Sequence, residues 1–126
     1  MEDQEKLKIG IGNIEAEKLE AKPVSIVSTN FRNVQFGNKE SEKVVFVVKH
    51  PDKEETIEIS SVKHEVINNL KESGVWFSTD KEGNIQKGSA LAGLLKYWNV
   101  LTLEAAVGKE VPTIIDSKGY LCFKAY

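Results

Sequence analysis

Val24-Ser-Ile-Val-Ser-Thr-Asn-Phe-Arg-Asn-Val-Gln-Phe36 is the stretch on which the fold turns. It is rich in β-formers, and its apolar residues change parity twice. Val24 and Ile26 fall on one side of an extended chain, Val27, Thr29 and Phe31 on the other, and Val34 and Phe36 return to the first. Side chains of a strand point alternately to its two faces, so a change of parity calls for an extra residue in the ladder. The expectation is one long, bulged and strongly curved strand.

Downstream, Gly37-Asn-Lys-Glu-Ser-Glu-Lys43 reads as a polar connection, and Val44-Val-Phe-Val-Val48 is the strongest strand signal in the chain. His50-Pro51-Asp52-Lys53 makes a turn, with Pro and Asp in turn-forming roles. From Thr56 to Val62 the chain alternates, with Ile57 and Ile59 on one face and Thr56, Glu58 and Ser60 on the other. Residues 63–73 fit two states: Val66, Ile67 and Leu70 have helical spacing, yet the segment can also continue the strand. Gly74-Val-Trp-Phe-Ser78 is a further strand and Asp80-Lys-Glu-Gly83 its turn. The helix is clear, with Ser89 as N-cap and Leu91, Leu94, Leu95 and Trp98 at i, i+3, i+4, i+7. Thr102 caps a second short turn, Leu103 to Val107, which Gly108 ends. Lys109–Ile115 and Tyr120–Ala125 flank Asp116-Ser-Lys-Gly119 as a closing hairpin, and Pro112 makes the first of these an edge or bulged strand.

Upstream, residues 1–22 form an N-terminal arm, expected to be partly disordered. Ile9 and Ile11 alternate with glycines as a short edge strand would, and Glu15–Ala21 can form one or two helical turns before Pro23 stops them. Residues 23–126 are one domain. At 126 residues the chain can bury about two thirds of its unfolded surface. The longest apolar run, Val44–Val48, is far shorter than the roughly 20 residues a spanning helix needs, and Met1–Lys6 is too charged for a signal peptide. Cys122 is the single cysteine, which excludes an internal disulfide and fits a reducing, cytoplasmic setting. No membrane partner is expected.

The element order β-β-β-α-β-β points to an α+β, mostly β domain. The expected fold is a five- or six-stranded barrel like the oligonucleotide-binding (OB) fold, with one main helix near residues 89–98. A β-grasp-like sheet packed on that helix is the alternative. The barrel favours binding over catalysis.

The chemistry-bearing residues agree. Gly10-Ile-Gly12 lacks the third glycine and the strand–helix context of a dinucleotide site. Gly83-Asn-Ile-Gln-Lys-Gly-Ser89 has the wrong spacing for a phosphate loop, although free amides at the helix start beside Lys87 suit an anion. His50, Asp52 and His64 have no metal-ligand spacing and form no Ser-His-Asp grouping in the local sequence; surface or turn histidines are the simpler reading. No enzyme, cofactor or metal site is expected. Single-stranded nucleic acid is held by aromatic stacking and by cations that track the phosphates. The candidates are Arg32, Lys43, Lys49, Lys63, Trp76, Phe77 and Lys87, with Phe31, Phe36, Phe46, Phe123 and Trp98 assigned to the core. A net charge of -2 disfavours indiscriminate duplex binding but leaves room for a local basic groove. If Phe46, Ile57 and Ile59 point inward, the outward face of the second and third strands is Val45, Val47, Lys49, Thr56, Glu58 and Ser60, with no aromatic. Val45 and Val47 offer that face a second use, as an assembly surface for another subunit or a protein partner.

The segments Gly74-Val-Trp-Phe, Asp80-Lys-Glu-Gly83, Gln86-Lys-Gly-Ser-Ala-Leu91, Gly108-Lys-Glu-Val and Lys118-Gly-Tyr-Leu121 resemble small archaeal and phage-associated proteins with OB-like, single-stranded-DNA-binding-like barrels. The resemblance covers residues 74–126 and rests on a turn, a helix cap and a hairpin. It implies a fold and a non-enzymatic binding role, with no catalytic residues to carry over. The acidic C-terminal tail of bacterial single-strand binding proteins has no counterpart here, which removes support for recruiting replication partners by that route.

Overall fold

The computed structural model describes residues 19–126. The expected arm, with its strand at Ile9 and Ile11, lies almost wholly outside the described residues; of its expected helical turns only residues 19–21 are described, and they are not helical. The elements in order are β1 (Val24–Phe36), β2 (Lys39–Lys49), β3 (Ile57–Ile59), β4 (Ser61–Val66), β5 (Asn69–Gly74), β6 (Trp76–Phe77), α1 (Ala90–Tyr97), α2 (Leu103–Ala106), β7 (Glu110–Val111), β8 (Thr113–Ile115) and β9 (Leu121–Ala125).

These strands divide between two sheets, so a single sheet laid across the helix does not describe them. One runs β3-β2-β1-β7 with β6 also on β2, and the other runs β5-β4-β9-β8. Three strands bend rather than end: β3 continues into β4 through Ser60, β5 into β6 through Val75, and β7 into β8 through Pro112. Proline has no N–H to give a ladder, which is why the third break falls at Pro112. Counted as bent strands there are six. Pairing runs from β1 to β2, through β3 and β4 to β9, and back through β8 and β7 to β1; only β4 and β9 are parallel.

The parity changes in β1 have two causes. The first is the expected bulge: the register with β2 shifts between Ile26 and Ser28, so Ile26, Thr29 and Phe31 share the inner face. The second is not a bulge, since pairing from Ser28↔Val47 to Phe36↔Lys39 is unbroken. Beyond Phe31 the β1–β2 hairpin turns its apolar residues, Val34 and Phe36, to the outer face, while Asn33 and Gln35 take the inner one. Gly37 (φ 60) and Asn38 close it with the glycine-first signature of a type II′ turn. Phe31 and Phe36 are therefore not core residues; they are 49% and 55% exposed.

Residues 63–73 resolve into the β4–β5 hairpin. Their helical spacing is a by-product of the turn, where Val66 and Leu70 flank Ile67 and Asn68 at the tip. Both tip residues have positive φ, 47° and 64°. The left-handed region is costly for a β-branched residue, so Ile67 is a locally strained position.

The core lies between the sheets and α1. Phe46 on β2, Phe123 on β9 and Trp98 at the end of α1 form a triangle of edge-to-face contacts, with ring centroids 5.3, 5.2 and 5.0 Å apart. Each such pair contributes about 0.5–1.5 kcal/mol beyond area burial. The triangle ties both sheets to the helix. Ser89 Oγ accepts from the Ala92 N–H at the N-terminus as expected. At the C-terminus Asn99 (φ 59) takes the left-handed position, with Val100 N–H donating to Leu95 O and Asn99 N–H to Lys96 O. That is the Schellman arrangement, and it stops α1 early. No helix among the described residues is long and apolar enough to cross a membrane.

Candidate functional site

Short α1 covers only part of the inner face, so the β1–β2 hairpin projects past it with both faces accessible. Strand alternation then sorts the charges of Lys39-Glu40-Ser41-Glu42-Lys43. Residues directly opposite in an antiparallel pair share a face. Register therefore places Asn30, Arg32, Val34 and Phe36 of β1 with Lys39, Ser41, Lys43, Val45 and Val47 of β2 on the outer face. Glu40 and Glu42 fall on the inner face with Phe31, Asn33 and Gln35. β6 adds one aromatic to each face, since Trp76 pairs with Lys43 and Phe77 with Glu42.

On the outer face the side chains converge. The Trp76 ring meets Phe36 edge-on at 5.4 Å, and Lys43 Nζ lies 5.5 Å from the Trp76 ring centroid. Gly74 makes this possible: a Cβ there would come 3.0 Å from Trp76 Nε1 and 3.1 Å from Lys43 Cε. Arg32 stands opposite Lys43, and its Nη2 is 3.2 Å from Glu58 Oε1 on β3. Glu58 is paired with Val47, so this ion pair reaches across β2 at the level of Val45.

The seven candidate residues thus part company. Arg32, Lys43 and Trp76 gather on the outer face. Phe77 turns to the inner face, 5.1 Å from Phe31. Lys49 is occupied at the far end of β2, where its Nζ donates to the carbonyls of His50 and Lys53. Lys63 lies on the second sheet, in register with Glu72 and Lys124. Lys87 stands in the exposed turn before α1. On the alternative assembly face, Val45 is only 2% exposed and Val47 is half-buried. Val45 faces outward as expected but offers no surface for a partner, because it is covered in this domain.

Sequence reasoning missed Phe36, Gly74 and the restraint that Glu58 puts on Arg32. Phe36, expected in the core, stands on the outer face instead. The alternation of Lys39, Glu40, Glu42 and Lys43 was the signal that the hairpin has a basic and an acidic face.

His50 is not a surface histidine but fully buried. Its Nδ1 accepts from the Asp52 N–H at 3.0 Å, so Nε2 carries the hydrogen and donates to Glu20 O at 2.8 Å. Lys22 Nζ lies 2.8 Å from Asp52 Oδ2, and the hydrogen bond from Lys22 holds the Asp52 carboxyl below its ordinary range. These contacts fix residues 20–22 against the 50–53 turn. His64 Nε2 is 2.8 Å from Ser73 Oγ; burial, with Lys71 nearby, pushes its pKa down. Among the described residues no group of three or more His, Cys, Asp or Glu side chains gathers as a metal site.

The inner face of the hairpin bounds an open groove of about 950 Å³. Phe31 and Phe77 meet Ile85, Leu95, Val100 and Leu101 there. No protein-family model, curated protein or solved structure matches this chain.

Proposed function

We propose that the domain is an OB-type barrel that binds single-stranded nucleic acid, without catalysis, on the outer face of β1, β2 and β6. The order of pairing, the parallel contact of β4 with β9 and the helix placed before β7 support the barrel. In such barrels the face of the second and third strands and the loop joining the first two strands are the usual oligonucleotide contacts. Here that loop is the tip of the β1–β2 hairpin.

One observation carries the ligand class. The domain has two accessible aromatic pairs on opposite faces of one hairpin, and the charges decide between them. Phe36 and Trp76 share the outer face with Lys39, Lys43 and Arg32 against one acid, Glu58, whereas Phe31 and Phe77 share the inner face with Glu40 and Glu42 against one cation, Lys96. The outer face has the excess of cations, which favours a polyanion there. Bases stack on an aromatic surface whatever their identity, and the cations track the backbone.

The test is binding of an oligo(dT) strand read by tryptophan fluorescence at low and moderate salt, with duplex DNA as control. Trp98 is 4% exposed, so quenching reports Trp76. Saturable quenching that weakens with salt and is absent for duplex is expected. With a labelled oligonucleotide, Trp76→Leu should weaken binding by roughly 5- to 150-fold, the value of one stacked base. Lys43→Gln should flatten the salt dependence by about 0.7 in log–log slope. No binding at low salt, where electrostatic attraction is greatest, overturns the proposal.

A further inference from the structure

We propose that a second copy of this chain pairs with the free edge of β1, in an antiparallel ladder centred on Phe31, and closes the apolar groove. Among the described residues β7 occupies only the start of that edge, at Val24 and Ser25, with further backbone bonds from Ile26 to Gly108 and Lys109. Residues 28–36 are bonded to β2 on one side and to no described strand on the other. An unpaired edge is a template for another strand, and proteins that keep edges free blunt them with Lys, Pro or inward charges. Ser28-Thr-Asn-Phe-Arg-Asn-Val-Gln-Phe36 has no Lys, Pro or inward charge; the bulge lies before it, and its one charge, Arg32, faces outward and is paired with Glu58.

The groove is the independent observation, and it lies on this edge. Phe31 is 49% exposed and Leu101 is 94% exposed, an apolar border beside a strand edge that no described strand pairs. The strand is also self-complementary. Run antiparallel to itself about Phe31, it sets Asn30 against Arg32, Thr29 against Asn33 and Phe31 against Phe31, with no like charges opposed. Opposed residues share a face, so the partner's ring arrives on the inner face beside Phe31, at the mouth of the groove. Centring the ladder on Arg32 would instead oppose two cations. The groove's lining is mostly apolar, with Lys96 its one charged residue, which suits an apolar ring more than a phosphate chain, and a two-fold strand contact is closed and isologous. It also joins two outer faces into one continuous surface.

Sedimentation velocity of the full chain without nucleic acid, over a concentration series, is the test, and its result does not depend on the proposed ligand. The expected result is a monomer–dimer equilibrium. Phe31→Lys and Leu101→Asp should each raise the dissociation constant by about tenfold or more, as loss of a central apolar anchor does. Both side chains are exposed enough that far-ultraviolet circular dichroism should match the parent. Hydrogen exchange should show protection of amides within residues 28–36 that appears only in the dimer. A monomer at every concentration overturns the proposal, as does a dimer that Phe31→Lys leaves intact. Protection of the 28–36 edge in the monomer would also overturn it, by assigning that edge to the chain itself.

Discussion

Glu58→Gln should make this protein bind single-stranded DNA more tightly. Among the described residues Glu58 is the one acid in ion-pair contact with the outer-face cations, 3.2 Å from Arg32, and both side chains are more than half exposed. In the parent chain a phosphate must compete with this carboxylate for the guanidinium. The amide removes the competitor while keeping size and shape. One additional phosphate contact steepens the salt dependence of single-strand binding by about 0.7 in log–log slope. With that slope the gain is about eightfold at 50 mM salt and about threefold at 200 mM. Stability should change little, because an exposed pair contributes only about 0–1 kcal/mol. Fluorescence titration with oligo(dT) at several salt concentrations measures the affinity and the slope together. Unchanged affinity with an unchanged slope would refute the reasoning, because Arg32 would then lie outside the path of the backbone. Weaker binding would refute it too, by showing that Glu58 holds Arg32 in the productive position.

Two predictions concern the scaffold. Burial pushes the Cys122 thiol up from 9.0 to about 11, with Asp116 and Glu72 adding to the effect. The unfolded chain therefore ionises this thiol before the folded one, and stability present below pH 9 is lost as pH rises toward 11, by about 2–3 kcal/mol in all. Urea titrations across that range should show the loss, and Cys122→Ala should remove this part of it; an unchanged slope in the variant would exclude Cys122 as the cause. His50→Ala should cost about 2–5 kcal/mol, since it empties a fully buried site and leaves the Asp52 N–H and the Glu20 carbonyl without their partner. A loss below 1 kcal/mol in chemical denaturation would show that water replaces the imidazole at both positions.

Much of the fold is written in local chemistry. Ser89 and Thr102 cap their helical turns, and Gly119 (φ 89) sits where the last hairpin needs it. The same device closes two turns: Asp80 Oδ1 accepts from Glu82 and Asn84, and Asp116 Oδ1 accepts from Lys118 and Tyr120. The first parity change in β1 marks a bulge because Val24 and Ile26 are both held in the core before it. The β4–β5 hairpin was illegible because its turn uses Ile67 and Asn68 in the left-handed region, where sequence patterns lead one to expect glycine. The stop of α1 was hidden in the same way, with Asn99 in the place of a glycine.

The candidate site was half legible, and the missing half has a physical reason. Lys43, Arg32 and Trp76 are the right residue types for the proposed ligand, but three strands must meet before they become neighbours. The apparent absence of aromatics from the outward face followed from considering the second and third strands alone. Trp76 reaches that face only because β6 returns to the end of β2 that β3 leaves unpaired. Phe36 reaches it because the unbroken register after the bulge turns Ser28, Asn30, Arg32, Val34 and Phe36 outward. Once both sides of a strand pair are solvent-accessible, an apolar residue no longer marks the core, and parity alone cannot say which face it serves. Charge alternation can: Lys39, Glu40, Glu42 and Lys43 divide by sign between the faces, and each aromatic pair inherits the potential of its own side. If the outer side takes the proposed polyanion and the inner side the proposed second copy, the two contacts use opposite faces of one hairpin and do not compete.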